Sequence, residues 1–395
     1  MHLVESYALN TGVKISKPFI YEKYAGLPFD ENKFKYIVLS PFSDKSCKNY
    51  DLWEEMIQIL TPILNKYKIK IVQVGAPNHP RLNHVHCING ELDINKCAYL
   101  IKRAELLVGT DDICMHIASH FNKKIVSLFS SHAPSHTGAY WSDKDSVINL
   151  VGKNEFSYAN EEVVKNINII RPEEIVKSIC KLLDIEYDYQ FKALYIGPNY
   201  PFKKVELMPI SYIANMEELG AKTAIVRMDL LYNMSSLEKQ LQICSCSIVL
   251  DKPIDIEFLK KHKERIIELV FFVNQDSDPD YFESLKQEGF KFNVASRLSG
   301  AELNKIKLKY LDYTTILEMP YGSKDKIKDF IKDKSNLYYK NSCLTVKGTD
   351  IYMNKSESQD NTPVNQVNFI EPRPVIDDEK FWNEVESMMI LEKVS

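Results

Sequence analysis

The chain has 395 residues, 45% hydrophobic and 26% charged, which excludes a disordered chain and leaves room for two domains of ordinary size. Its 50 lysines and arginines stand against 54 acids, and a net charge of -4 gives no general attraction to nucleic acid or anionic membrane. No apolar run approaches the roughly 18 residues of a membrane span. The first residues also lack a signal peptide's basic and apolar segments, so the expected compartment is the cytoplasm.

In chain order, residues 1–33 are mixed and contain no full strand-helix repeat. Residues 36–40 read as a buried strand and 41–50 as a polar loop. Residues 51–67 follow as a helix with Leu52, Trp53, Met56, Ile59, Leu60, Ile63 and Leu64 on one face. A strand at 69–74 closes at Gly75, and a helix at 94–104 leads into a strand at 106–109. Thr110, Asp111 and Asp112 then read as a turn and helix start, 113–121 as a helix and 124–129 as a strand. Such alternation predicts a doubly wound parallel sheet. Ligands bind such sheets outside the carboxyl ends of the strands, where loops 109–112 and 130–140 lie. Loop 41–50 precedes a helix, whose free amides attract phosphate; its other reading is a solvated loop with Asp51 as cap.

Residues 172–183 form an amphipathic pattern with a proline in the first turn. Apolar strands at 194–197, 223–227, 247–250, 269–273 and 292–295 follow. Helical stretches at 212–219, 236–243, 255–262 and 280–288 separate them, and another at 300–306 comes last, which predicts a second αβ sheet. Further on, the pattern predicts an exposed helix at 324–334, a polar linker at 354–377 and a terminal helix at 379–392. That helix would dock Phe381, Trp382, Val385, Met388 and Met389 on a core. The eight cysteines are scattered, and Cys244 and Cys246 are too close for an ordinary disulfide, so most are expected to be buried thiols.

Residues 110–118, TDDICMHIA, resemble the Asp-Ser/Thr-Gly-x-x-His-x-Ala signature of glycosyltransferase family 9, the heptosyltransferases that use ADP-heptose. Residues 128–141 resemble that family's following loop, in which Phe-Gly-x-Thr-x-Pro leads into Thr-Gly-x-Tyr; Thr137 and Gly138 match the latter. Loop 41–50 resembles its phosphate loop, with Ser43, Lys48 and Tyr50 matching the serine, lysine and tryptophan. The turn at Gly75 resembles its glycine-rich nucleotide turn, with Asn78 or His79 where a ribose-binding glutamate commonly stands.

The resemblance covers about residues 1–187 and corresponds to the family's C-terminal, nucleotide-sugar-binding half. It implies an α/β, GT-B-like fold: two Rossmann-like parallel-sheet domains at 1–187 and 188–322, plus a C-terminal extension at 323–395. The implied function is sugar transfer from a nucleotide-activated donor, ADP-sugar being one candidate, to a glycan, protein or other acceptor. The donor would be held by Ser43, Lys48, Gly75, Asp111, Asp112, His116, Thr137 and Gly138. No catalytic base is assigned; a carboxylate of the second sheet, a partner chain or a homo-oligomer would supply it.

Asp112 and Ile113 depart from the family's Ser/Thr and Gly, and a carboxylate near a diphosphate repels it. Asp111 either accepts bonds from sugar hydroxyls or favours the helix N-terminus by its charge, and His116 is either the family's histidine or a core histidine. A catalytically degenerate GT-B scaffold, acting as a binding or assembly protein, is therefore the competing expectation. His116 and His120, like His132 and His136, stand at i and i+4, but a His-Glu-x-x-His glutamate is absent. No metal or cofactor is expected, and amides, hydroxyls and Lys48 would stabilise the leaving diphosphate.

Overall fold

The computed structural model divides the chain into two units, Met1–Gln190 and Phe191–Ser395. It describes residues 1–30, 33–152, 165–196, 200, 203–210, 224–274, 277–298, 300–311, 316–318, 336–364, 371–376, 379–382 and 387–393. The helices expected at 212–219 and 324–334 lie outside the described residues.

The first unit opens with α1 (Leu3–Thr11), which buries none of its residues and ends at Gly12 in a left-handed conformation. Then come β1 (Lys35–Ser40), α2 (Trp53–Lys66), β2 (Ile69–Gln73), β3 (His86–Cys87), α3 (Ile94–Arg103), β4 (Leu106–Thr110), α4 (Ile113–His120), β5 (Lys124–Phe129), α5 (Pro134–Thr137), β6 (Val147–Val151) and α6 (Pro172–Leu183). All six strands pair in parallel, in the order β3-β2-β1-β4-β5-β6. This is the doubly wound order, with its switch point between β1 and β4, where crossovers leave in opposite directions and open a crevice.

Burial explains why these segments are strands. β4 is buried throughout and β1 from Tyr36 to Ser40, so both faces are covered and near-continuous apolar runs are required. At the switch point Ser40 pairs with Gly109, and a Cβ on Gly109 would stand 2.4 Å from the Ser40 carbonyl oxygen. Only glycine permits that approach.

The second unit contains β7 (Phe191–Ile196), β8 (Lys204–Met208), β9 (Ala224–Arg227), α7 (Met234–Ile243), β10 (Cys246–Leu250), α8 (Ile256–Lys261), β11 (Ile266–Phe272), α9 (Pro279–Gln287), β12 (Phe292–Ser296), α10 (Gly300–Lys309) and β13 (Leu317–Glu318). After these come β14 (Leu337–Asn341), β15 (Cys343–Lys347), β16 (Asp350–Tyr352), α11 (Lys355–Asp360), β17 (Arg373–Pro374), α12 (Glu379–Trp382) and β18 (Met388–Lys393). β8 to β13 are parallel neighbours in sequence order, with β15 and β16 added beyond β8. By the general rule that such crossovers are right-handed, parallel neighbours in sequence order carry their connecting helices on one face. Val205, Val226, Ile248, Leu269 and Val294 accordingly share a core with Leu237, Leu259, Phe282 and Leu303. The alternate strand positions carry Glu206, Arg227, Ser247, Glu268 and Asn293.

Residues beyond 336 depart from the expected extension. The described part of the expected terminal helix is α12, Val385 lies outside the described residues, and Met388–Lys393 is a strand between β14 and β7 in a four-stranded sheet, β17-β14-β18-β7. Met388 to Leu391 are all buried, so apolar side chains are needed on both faces, a demand that helical spacing does not reveal. Phe381 and Trp382 do enter a core, beside Tyr339, Met353 and Ile390. The expected linker contains α11, capped by the fully buried Asn354 and built around buried Glu357. The Glu357 carboxylate accepts from Tyr339 Oη at 2.5 Å, Arg373 Nη1 at 2.6 Å and the Met353 amide at 3.2 Å. In the described parts of this polar stretch, 354–364 and 371–376, the local structure satisfies one buried charge.

Candidate functional site

Two loops at the carboxyl ends of β1 and β4 form the site. In the first, the Ser43 amide donates to Asn49 Oδ1 at 2.7 Å, Asn49 Nδ2 donates to the Ser43 carbonyl at 3.0 Å, and Trp53 Nε1 donates to the Pro41 carbonyl at 2.9 Å. One turn of 3-10 helix, Ser46–Lys48, carries Lys48 across to the second loop. There Nζ donates to Asp111 Oδ2 at 2.9 Å and to the Asp111 carbonyl at 3.1 Å. The same carboxylate oxygen accepts from Thr137 Oγ1 at 3.2 Å and lies 3.8 Å from His132 Nδ1.

Asp112 serves a different set of partners. Its Oδ1 accepts from the Cys114 and Met115 amides at 2.9 and 3.2 Å, capping α4, and Oδ2 accepts from the Ser40 hydroxyl. Burial pushes its carboxyl up to about 6, against the opposing pull of Ser40 and the two amides. His116, one turn into α4, is lowered by burial; Asp111 opposes that shift, while His2 and Lys48 add to it. Burial, followed by Lys48, also lowers His132. Both imidazoles therefore favour the neutral form, suited to accepting or donating a hydrogen bond.

The third wall is the turn after β5. Gly138 ends α5, where a Cβ would stand 2.3 Å from the Pro134 carbonyl oxygen. Its own carbonyl lies 3.1 Å from His2 Nε2. His2 is also the cap of α1, in a reciprocal arrangement with Glu5, and its ring lies 4.6 Å from that of Tyr140.

A cavity of about 420 Å³ opens beside Asp112. Ser40, Ser43, Asp44, His79, Asp93 and Asp112 give it polar groups, and Phe42, Leu92, Ile94, Ile113 and Ile117 an apolar wall. Gly75 keeps one corner open, since a Cβ there would stand 2.7 Å from His79 Nδ1 and 3.1 Å from Asn89 Oδ1. His79 Nδ1 accepts from the Ala76 amide at 3.1 Å. Asn89 is 7% exposed, and its Oδ1 has no hydrogen-bond partner among the described residues.

The expected donor-binding set thus falls into two groups. Ser43, Gly75 and Asp112 line the cavity, whereas Lys48, Asp111 and Thr137 form an ionic cluster, with His116 feeling its charges and Gly138 closing the adjoining turn. Tyr50 belongs to neither: it is buried, stacks edgewise on Trp53 at 5.2 Å and donates to the Ile170 carbonyl at 2.7 Å. Sequence reasoning weighed His132 only as half of a metal-ligand pair, and overlooked Ser40 and the cavity-lining Cys97 and Cys114, whose sulfurs are 3.8 Å apart. A serine ending an otherwise apolar strand was the available signal for Ser40. Among the described residues, no group of three or more His, Cys, Asp or Glu is placed to hold a metal ion, and no helix is long and apolar enough to cross a membrane.

Residues 10–166 match the model of glycosyltransferase family 9 (heptosyltransferase). No curated protein matches the chain. Similar solved structures include a glycosyl transferase family 9 protein from Veillonella parvula, with 16% identity over 46% of this chain and 50% of that one at a TM-score of 0.33. ADP-heptose lps heptosyltransferase II of E. coli has 16% identity over 46% and 51%, at a TM-score of 0.31. The E. coli heptosyltransferase WaaC with ADP has 18% identity over 45% and 54%, at a TM-score of 0.31. The chain spans about half the length of these relatives.

Proposed function

From the premise that residues 10–166 are a glycosyltransferase family 9 domain, we propose that the protein transfers a sugar from a nucleotide-activated donor held at the β1/β4 switch point. The observation that carries this reading is the Lys48-Asp111-Thr137 cluster beside a partly apolar cavity, both at the carboxyl edge where such sheets bind ligands. The cavity suits a nucleoside, with Phe42 and the isoleucines against the base, carboxylates as acceptors for hydroxyl and amino groups, and His79 Nε2 as a donor. Lys48, released from Asp111, would face the diphosphate.

In the proposed reaction an acceptor hydroxyl attacks the anomeric carbon and the bond from that carbon to the diphosphate oxygen breaks. A base takes the hydroxyl proton, while Lys48 and neighbouring hydroxyls stabilise the departing charge without a metal. ADP-heptose is the first donor to try, because the matched family is described as heptosyltransferase, and a cytoplasmic setting belongs to the same reading.

A thermal-shift panel of nucleoside diphosphates and nucleotide sugars tests it. A ligand at about a hundred times its dissociation constant stabilises the fold by about 2.7 kcal/mol, and Lys48→Ala should abolish that gain. If no nucleotide raises the melting temperature of the wild type, the donor-site reading is wrong and a binding scaffold takes its place.

A further inference from the structure

We propose that Asp112 is a specificity residue: it keeps phosphate away from the first turn of α4, so the cavity accepts the uncharged nucleoside end of a ligand and leaves the diphosphate to Lys48. The inference rests on the donor-site reading above.

An anion at the start of α4 would need the Cys114 and Met115 amides. Both donate to Asp112 Oδ1, and a neighbouring donor, the Ser40 hydroxyl, is bonded to Oδ2. The chain's own carboxylate therefore fills the position that the helix N-terminus offers to a phosphate. The second helix bordering the cavity is closed in the same way, since Asp93 Oδ1 accepts from the Asn95 and Lys96 amides at 3.0 and 2.9 Å.

Charge points in the same direction. Asp44, Asp93 and Asp112 line the cavity, and among the described residues no lysine or arginine does. Lys48 is outside it, bonded to Asp111. A phosphate entering the cavity would meet carboxylates without a cation, whereas ribose hydroxyls or a base amino group would find acceptors. Ile113, 57% exposed, adds a branched side chain where an anion would need close approach to the backbone.

The test is calorimetric titration of the wild type, Asp112→Asn and Asp112→Gly with inorganic pyrophosphate, adenosine and ADP. Asp112→Asn removes the charge and keeps a capping oxygen, Asp112→Gly also frees the two amides at a position where helices tolerate glycine, and thermal melts verify that both fold. The wild type should bind pyrophosphate only weakly, through Lys48. Each variant should bind pyrophosphate and ADP on the order of tenfold more tightly than the wild type, with a smaller change for adenosine. If pyrophosphate and ADP bind the folded variants no better than the wild type, Asp112 has no such role, even where ADP binds all three and the donor reading survives. If the variants capture pyrophosphate but none of the three proteins takes adenosine or ADP, the exclusion of phosphate stands and the adenosine-donor reading falls.

Discussion

Lys48 Nζ donates to both the carboxylate and the backbone carbonyl of Asp111, at 2.9 and 3.1 Å, tying the loop after β1 to the turn after β4 across the switch point. The side chains are 15% and 8% exposed, so much of the solvent screening that weakens surface pairs is missing. Lys48→Ala would strand the Asp111 carboxylate with Thr137 as its remaining close donor, and should cost about 2–3 kcal/mol of stability. Adding Asp111→Asn should restore part of that loss by removing the stranded charge. Urea denaturation of the two variants checks this, and equal stability of Lys48→Ala and wild type would mean that the pair contributes nothing.

Asp112 gives stability an unusual pH dependence. An unfolded aspartate ionises near 3.9, whereas burial holds this one to about 6 in the fold. Between those values the folded state binds the extra proton, so stability from this group falls as pH rises and is lowest above about 6. Asp112→Asn removes the titration. The variant should therefore gain on the wild type by up to about 3 kcal/mol between roughly pH 4 and 7. Denaturation curves at several pH values would show the two lines diverging, and a constant separation would contradict the assignment.

The first unit was legible because its central strands are buried on both faces: residues 36–40 and 106–109 read as unbroken apolar runs bounded by turns. β8 was not, since Lys204-Val205-Glu206-Leu207-Met208 alternates polar and apolar over only five residues. Met388 to Leu391 fit a helical stripe and a fully buried strand equally well, and pairing with β14 and β7 decided between them. In the site, the motif located Asp111 and Asp112 together, but their division between Lys48 and the α4 amides depends on backbone direction. Lys48 and Asp111 are 63 residues apart, a contact that single-sequence spacing does not contain.

Gly109 offers a steric test of the switch point. Gly109→Ala puts a Cβ against the Ser40 carbonyl, a backbone atom that cannot rotate away, and should cost about 3 kcal/mol or more by separating β1 from β4. Gly12→Ala meets nothing within 4 Å and is strained only by its left-handed φ of 69°, so about 1 kcal/mol is expected. Chemical denaturation of the pair would distinguish packing from conformation. A Gly109→Ala variant as stable as Gly12→Ala would mean that β1 and β4 can separate freely.

In the second unit, Arg227 stands at the carboxyl end of β9. It donates to Asp229 through Nε and Nη2, both at 2.8 Å, and to Glu206 through Nη1 at 2.9 Å. Burial raises the Glu206 carboxyl, but Arg227 and Lys355 outweigh it and hold the pKa below the ordinary value. Removing the guanidinium with Arg227→Met leaves two nearly buried carboxylates, though not without cations: Lys355 remains 2.8 Å from Glu206 and Arg297 3.4 Å from Asp229. Those contacts should reduce the usual cost of breaking a buried pair, about 3–5 kcal/mol, to about 2–3 kcal/mol. Because Glu206 is depressed, its stabilising effect is present above the unfolded carboxyl range and lost as pH falls. The difference between wild type and Arg227→Met should accordingly shrink in acid. Hydrogen exchange should report the loss in β8, β9 and β10 while leaving α4 and β4 protected; equal loss in both units would instead mean that the chain unfolds as one cooperative body.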